Sequence, residues 1–262
     1  MRLRQVALIA HQIAPVAEAL QTVFGLKVGF RDPAVGVFGL ANVVMPAGGD
    51  FIEVLEPMRP DTAGGRYLAR RGGDAGYMVI LQDDDALAHR RRLEAARVRV
   101  IAARGDGRYR FTHYHPADCA GILLSIDCVE GADWRERAGD WPPAGPAWRE
   151  FECEGCGGLA AVTIQHRDPE AAANRWSQLL DRPVISLSGG FAIELEMGAI
   201  RFVPAMDEDG TGVVGIDVAV ADVSAVLDRA AAEGLASRDG SVLICGTAFT
   251  PVASMSDMAA RP

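Results

Sequence analysis

Two hydrophobic periods alternate along this chain, and their order recurs four times. Runs with a period of two at residues 5–10, 77–82, 161–165 and 215–220 predict strands. Each leads directly into a segment with a period near 3.6. In the first, Val16, Leu20, Val23 and Phe24 share a face, Pro15 sits in the first turn and Gly25 ends the helix. The second helix is predicted over residues 86–97, capped by Asp84 or Asp85. The third opens on Asp168-Pro169-Glu170, which supplies a cap, a fixed φ and an acid at the positive helix end. Its apolar face is Ala173, Trp176, Leu179 and Leu180. The fourth starts at Asp222 and carries Val223, Val226, Leu227, Ala230 and Ala231.

More strands are predicted behind each helix, at residues 28–30, 35–46 and 51–55, then 98–102, 109–114 and 121–127. The third module continues with 191–195 and 199–203. The fourth continues with 241–245 and 248–252, one strand fewer than the second. Pro57, Pro60 and Gly64-Gly65 mark a break. Residues 129–157 lose both periods. Trp134, Trp141 and Trp148 lie there among prolines and glycines, which predicts an irregular linker held on a domain surface by its indoles.

One βαβββ unit cannot bury its sheet face alone. Two such units pair into a curved sheet whose concave side encloses a cavity. The pattern therefore predicts an α+β protein of four βαβββ modules paired into two curved sheets. Its domains are expected at 1–128 and 158–262, the second shortened, with the linker at 129–157. The 262 residues are 49% hydrophobic, enough for a full core, and the 23% charged content argues against disorder.

The net charge of −9 disfavours phosphate backbones, so no nucleic-acid partner is expected. His89-Arg90-Arg91-Arg92 reads as a solvated helix face. No apolar run reaches the ~20 residues of a membrane span, and the N-terminus lacks a signal-peptide core, so a cytoplasmic location without membrane contact is expected. Five cysteines and no export signal point to reduced thiols. Cys153-Glu154-Gly155-Cys156 is a lone C-x-x-C in a Gly-rich connector, read as incidental ahead of a metal or redox role. No Walker loop or G-x-G-x-x-G opens a helix, which leaves nucleotide-binding folds unsupported.

Several local sequences resemble the vicinal oxygen chelate superfamily, the glyoxalase, bleomycin-resistance and extradiol-dioxygenase group. Phe24-Gly25-Leu26 is similar to its Leu-Gly-Leu. Phe51-Ile52-Glu53-Val54-Leu55-Glu56-Pro57 is similar to its I-E-L-L-E-P strand. The segment from His115-Pro116-Ala117-Asp118 to Leu124 resembles H-P-K-D-x-G-G-V-L in the methylmalonyl-CoA epimerase branch. The resemblance spans residues 4–128 and 158–253, and within the superfamily it is closest to the glyoxalase-like proteins with a two-part chain.

That resemblance implies four site positions per paired sheet, which in metal-dependent members hold a divalent ion. In the first half they fall on Gln5, Glu53, Tyr77 (or Met78, by a one-residue gap) and Ser125. In the second they fall near Ala161, Arg201, Gly215 and Ala248. Only Glu53 is an intact ligand, and one carboxylate does not hold a catalytic ion. The expected function is thus binding of a small, partly apolar molecule in the N-terminal barrel, without metal or other cofactor. Gln5, Glu53, Tyr77 and Ser125 would line the site, with Glu53 as general base or hydrogen-bond anchor. Sequestration, as in bleomycin-resistance relatives, is a related expectation. The alternative is a lyase, isomerase or dioxygenase with one divalent ion on Glu53, His113 and His115; the two histidines alternate on one strand and so share a face. His11 and His166 fall one residue out of register and read as structural. A homodimer is compatible with this fold, because its barrels can close within one chain or across two.

Overall fold

The computed structural model describes residues 1–206 and 210–254. The first half runs β1 (Arg2–Ile9), α1 (Ile13–Phe24), β2 (Leu40–Ala47), β3 (Asp50–Pro57), α2 (Ala63–Arg71), β4 (Ala75–Gln82), α3 (Ala86–Ala95), β5 (Val100–Arg104), β6 (Tyr109–Tyr114) and β7 (Leu123–Val129). The second runs β8 (Cys156–His166), α4 (Pro169–Leu180), β9 (Ile185–Leu187), β10 (Gly190–Glu194), β11 (Ala199–Pro204), β12 (Thr211–Val220), α5 (Val223–Ala232), β13 (Ser237–Arg238), β14 (Ser241–Ile244) and β15 (Thr247–Ala253).

The modules pair as the repeat predicts. In the first half β1 joins β4 antiparallel, and each has a parallel partner on its other edge, β3 and β7. The order is β2-β3-β1-β4-β7-β6-β5. The second half repeats this about β8 and β12, with β11 and β15 as parallel partners. One pair, Val213 with Gly76, joins the halves into a continuous sheet of 15 strands. Gly76 is required there: a Cβ would lie 2.5 Å from the Val213 carbonyl oxygen.

Helices cover the outer faces. Val16, Leu20 and Val23 of α1 and Leu93 of α3 join Val6, Leu8, Val54, Val79 and Ile126 in one core that continues under α4 and α5. The caps are those the sequence predicts. Asp85, Asp168 and Asp222 accept the backbone N–H of Ala88, Ala171 and Ala225. No helix among the described residues is long and apolar enough to cross a membrane.

Four sequence expectations need correction. Residues 28–30 form only a bridge, Phe30 to Val44. Residues 33–38 form a 3₁₀ turn instead of extending β2. Asp32 caps it, Pro33 starts it and Gly39 at φ 70° ends it, so local chemistry overrides the apolar run. The break around Gly64-Gly65 contains α2, capped by the Thr62 hydroxyl and held by Leu68. The fourth module keeps its third strand as the two residues of β13.

The linker is not on an outer surface. Trp134, Trp141 and Trp148 are almost fully buried, and the last two pack with Phe51, Ala7 and Val44 on the concave side of the first sheet. Each indole removes on the order of 200 Å² from water, about 5 kcal/mol of transfer free energy as an upper bound. Arg2 anchors the arrangement. Its buried guanidinium pairs with Asp50 at 2.6 Å and donates to the carbonyls of Gly49, Trp134 and Glu136. Asp50 also accepts the Leu159 N–H, tying the two halves together.

Candidate functional site

Residues of all seven strands β1–β7 and the first turn of α2 surround a cavity of about 490 Å³. The linker prolines Pro142 and Pro143 and the 3₁₀ turn complete its wall. The interior is mostly apolar, with Leu40, Leu55, Met78, Ile80 and Leu123 on the strands. Val37 and Phe38 of the turn face Ile101 and Phe111 at the mouth. These apolar residues are partly exposed, Val37 at 83% and Ile101 at 50%, because they border the opening and not the core.

Glu53 sits in this wall, 6% exposed. Asn42 on the neighbouring strand donates its amide N–H to Oε1 at 2.6 Å, and Gln5 donates to Oε2 at 2.9 Å. Neither amide can turn round. The Trp141 indole donates to Gln5 Oε1 at 2.7 Å, and the Asp32 backbone N–H donates to Asn42 Oδ1 at 2.8 Å. Both outer groups are donors only, so each amide must present its NH₂ to the carboxylate. Those bonds favour the ionised form. Burial opposes them and dominates, raising the Glu53 pKa from 4.5 to about 6.

A second carboxylate lines the same cavity. Asp127 accepts the Tyr109 hydroxyl at 2.6 Å and the Ser125 hydroxyl. Burial raises its pKa to about 7 against those two bonds. Tyr109 is itself held protonated by burial and by the Asp127 charge. Tyr77 reaches the cavity through a bulge: Ala7 pairs with Met78 and Leu8 with Gly76, leaving Tyr77 as the extra residue. The bulge brings both Tyr77 and Met78 into the lining, and burial pushes the Tyr77 phenol up to about 12. His113 lies between Phe111 and Phe38, ring centroids 4.7 and 6.0 Å away, and burial lowers its pKa to about 4, so it is neutral at physiological pH.

Three of the expected site residues, Gln5, Glu53 and Tyr77, thus meet in one cavity. Ser125 does not line it; its hydroxyl is turned to Asp127 and the Thr112 carbonyl. Of the alternative set, His113 lines the cavity with Glu53, whereas His115 lies beyond β6, where its Nδ1 accepts the Ala117 N–H. Among the described residues no three His, Cys, Asp or Glu side chains are grouped to hold a metal ion. Sequence reasoning missed Asn42, Tyr109, Asp127 and Trp141. Asp127 had a usable signal, since strand alternation puts it in phase with Ser125. Trp141 had none, because nothing local says where a linker folds back.

Among its described residues the second half offers no matching site. Arg201 donates to Asp217, whose partners across the sheet are Ala161 and Thr250, while Gly215 pairs with Ala248. The carried-over positions there hold an internal ion pair and small side chains.

No curated protein matches this chain. A hypothetical protein from Staphylococcus aureus superposes with a TM-score of 0.67 at 12% identity, covering 96% of this chain and 99% of that one. A mutant of 4-hydroxymandelate synthase from Streptomyces coelicolor superposes with a TM-score of 0.66 at 18% identity, covering 90% and 75%. Methylmalonyl-CoA epimerase from Mycobacterium tuberculosis aligns over 49% of this chain and 87% of its own, at 20% identity and a TM-score of 0.44. The profile of the glyoxalase-like domain matches residues 6–180, about two thirds of the sequence. By that match and by its paired-module fold, the chain belongs to the glyoxalase-like domain family of the vicinal oxygen chelate superfamily.

Proposed function

We propose that the first half binds a small, partly apolar molecule without a metal ion, through a hydrogen-bond donor on the ligand that meets Glu53. One observation carries this reading: Glu53 is clamped by two amides whose orientations are fixed from behind by Trp141 and Asp32. Above pH 6 it is an anionic acceptor preorganised beside an apolar cavity. A hydroxyl, N–H or ammonium group on the ligand satisfies it, while Leu40, Leu55 and Met78 take the apolar part. Asp32 and Asp127 also line the cavity and outnumber its one lining cation, Arg104, which favours a neutral or cationic ligand.

The donor set does not fit a divalent ion. Gln5 Oε1 and Asn42 Oδ1, the oxygens a metal would use, face N–H donors, and their NH₂ groups turn toward the carboxylate. Ser125 is turned away and Tyr77 is a neutral phenol. The chain's own groups therefore carry any chemistry.

A screen of small amines and hydroxylated aromatics by thermal shift tests the reading. Ligands that raise the melting temperature of the wild type are expected to lose that effect in Glu53→Gln and to keep part of it in Glu53→Asp. Ligands that stabilise Glu53→Gln equally would refute the role of Glu53.

A second reading follows from two carboxylates with raised pKa values in one cavity. Glu53 can take a proton from a carbon acid and Asp127, through Tyr109, can return one, a metal-free isomerase or lyase. Deuterium uptake from solvent into a bound carbonyl compound, lost in Glu53→Gln, distinguishes this from binding alone.

A further inference from the structure

The C-x-x-C of the linker is not absorbed by the cavity or its chemistry. Its two sulfurs lie 2.6 Å apart, and both point at one acceptor, the Phe24 carbonyl at the end of α1, at 3.1 Å from Cys153 and 3.5 Å from Cys156. The turn between them is built for this. The Cys156 N–H donates to the Cys153 carbonyl, Gly155 takes φ +87°, and the Gly155 carbonyl accepts the Ala221 N–H, which fixes the turn to the end of β12. Glu152, one residue earlier, accepts the N–H groups of Gly48 and Gly49. The pair is therefore held from both sides and does not depend on a free loop to bring it together.

Access is asymmetric. Cys153 is buried at 7% exposure, while Cys156 is half-buried and lines a second, open cavity of about 1030 Å³ between the two halves. Arg137 and Arg149 stand on the same wall with Glu152, Glu194 and Glu196. The other thiols differ. Burial pushes Cys119 and Cys245 up to about 12 and raises Cys128, which keeps them protonated. In the pair, the Cys156 S–H donates to the Cys153 sulfur, which lowers the Cys153 pKa, while that bond and burial raise the Cys156 pKa, so the first proton lost comes from Cys153 and the second stays on Cys156.

We propose that Cys153 and Cys156 form a thiol–disulfide exchange site that takes low-molecular-weight disulfides, with Cys156 as the entry sulfur. In the first step the Cys153 thiolate takes the Cys156 proton as the Cys156 sulfur, the accessible one, attacks one sulfur of R–S–S–R. An S–S bond forms to the protein and one R–S⁻ leaves, taking up a proton. In the second, the Cys153 sulfur gives up its proton, attacks the Cys156 sulfur of the mixed disulfide and expels the second R–S⁻. The protein dithiol loses two electrons and two protons, and the small disulfide becomes two R–SH. Oxidation removes the Cys153 S–H donor from the Phe24 carbonyl, so α1 loses that link to the linker's end.

The test uses the full chain and glutathione disulfide as probe. After equilibration across a series of reduced to oxidised glutathione ratios, the chain is acid-quenched, alkylated and mapped by mass spectrometry. Two of the five thiols are expected to disappear together, as an internal Cys153–Cys156 disulfide that dithiothreitol reverses. Cys153→Ser is expected to trap Cys156 as a stable glutathione adduct, because no second sulfur resolves it. Full alkylation of Cys153 and Cys156 at every ratio would overturn the proposal, as would glutathione adducts confined to Cys119, Cys128 or Cys245. Trapping at Cys153 in Cys156→Ser with none at Cys156 in Cys153→Ser would overturn the assignment of the entry sulfur.

Discussion

Asp127→Asn is expected to stabilise this protein at alkaline pH and to do almost nothing at acid pH. Asp127 is 1% exposed, and burial moves its pKa from 3.8 to about 7. The fold therefore favours the protonated acid. The stability this contributes is complete below pH 3.8, declines as pH rises towards 7, and is absent above it. At ~1.36 kcal/mol per pH unit, the ionised carboxylate costs about 4 kcal/mol at pH 8. Asparagine is isosteric and cannot ionise. Its Oδ1 accepts the Tyr109 hydroxyl, and its Nδ2 donates to the Ser125 oxygen once that hydroxyl turns to the Thr112 carbonyl, already 3.3 Å away. Loss of the charge-assisted bonds offsets about 1 kcal/mol. The net expectation is a gain of about 3 kcal/mol at pH 8 and a change within about 1 kcal/mol at pH 4. Urea unfolding followed by the fluorescence of the four tryptophans, all buried, measures both. A difference between variant and wild type that stays flat with pH would refute the reasoning, because the carboxylate would then not be titrating inside the fold.

Three further outcomes follow from the same geometry. Trp141→Phe removes the donor that fixes Gln5, so the amide can turn and the Glu53 pKa should climb above 6; carboxyl ¹³C shifts of glutamate-labelled protein read it, and a fall would contradict the clamp. Its stability should drop by about 1–3 kcal/mol for the orphaned acceptor. Arg2→Met leaves the buried Asp50 charge with only the Leu159 N–H and the Arg137 guanidinium 4.0 Å away and should cost about 3 kcal/mol, most of it recovered in Arg2→Met/Asp50→Asn by denaturant titration. Incubation with iron, nickel, manganese and zinc salts, then desalting and plasma mass spectrometry, should leave well under one ion per chain; a near-stoichiometric ion lost in Glu53→Gln would show that the amides reorient.

Much of the architecture was legible because it rests on period and repetition. The caps Asp85, Asp168 and Asp222, and the pairing of modules about β1–β4 and β8–β12, are consequences of local pattern repeated four times. The 3₁₀ turn was hidden because Val35, Val37 and Phe38 are apolar for the sake of a cavity mouth and not a core. Half of the site was legible for the same reason that the rest was not. Gln5, Glu53 and Tyr77 sit at positions the fold repeats, whereas Asn42 and Trp141 act by orienting other side chains, and orientation depends on partners distant in sequence: Trp141 lies 136 residues from Gln5. Tyr77 shows how narrow the margin was. Only the bulge opposite Ala7 and Leu8 places both Tyr77 and Met78 in the cavity wall.

The two halves share a topology but hold charge in opposite ways, and this supports the proposal that the first half binds the ligand. At the centre of the second concave sheet, Arg201 and Asp217 neutralise each other, beside Ala161, Gly215 and Ala248, which offer no donor. An ion pair closed on itself has little left for a ligand. At the equivalent centre of the first, Glu53 is held by neutral amides, which fix its direction without cancelling its charge. The energy of burying that charge is retained in the free protein as a raised pKa, and a ligand donor that reaches Glu53 relieves part of it. Cavity size points the other way, since the open space between the halves is the larger of the two, but of its glutamates Glu152 is taken up by the Gly48 and Gly49 N–H groups and Glu196 is paired with Arg182 and the N-terminus.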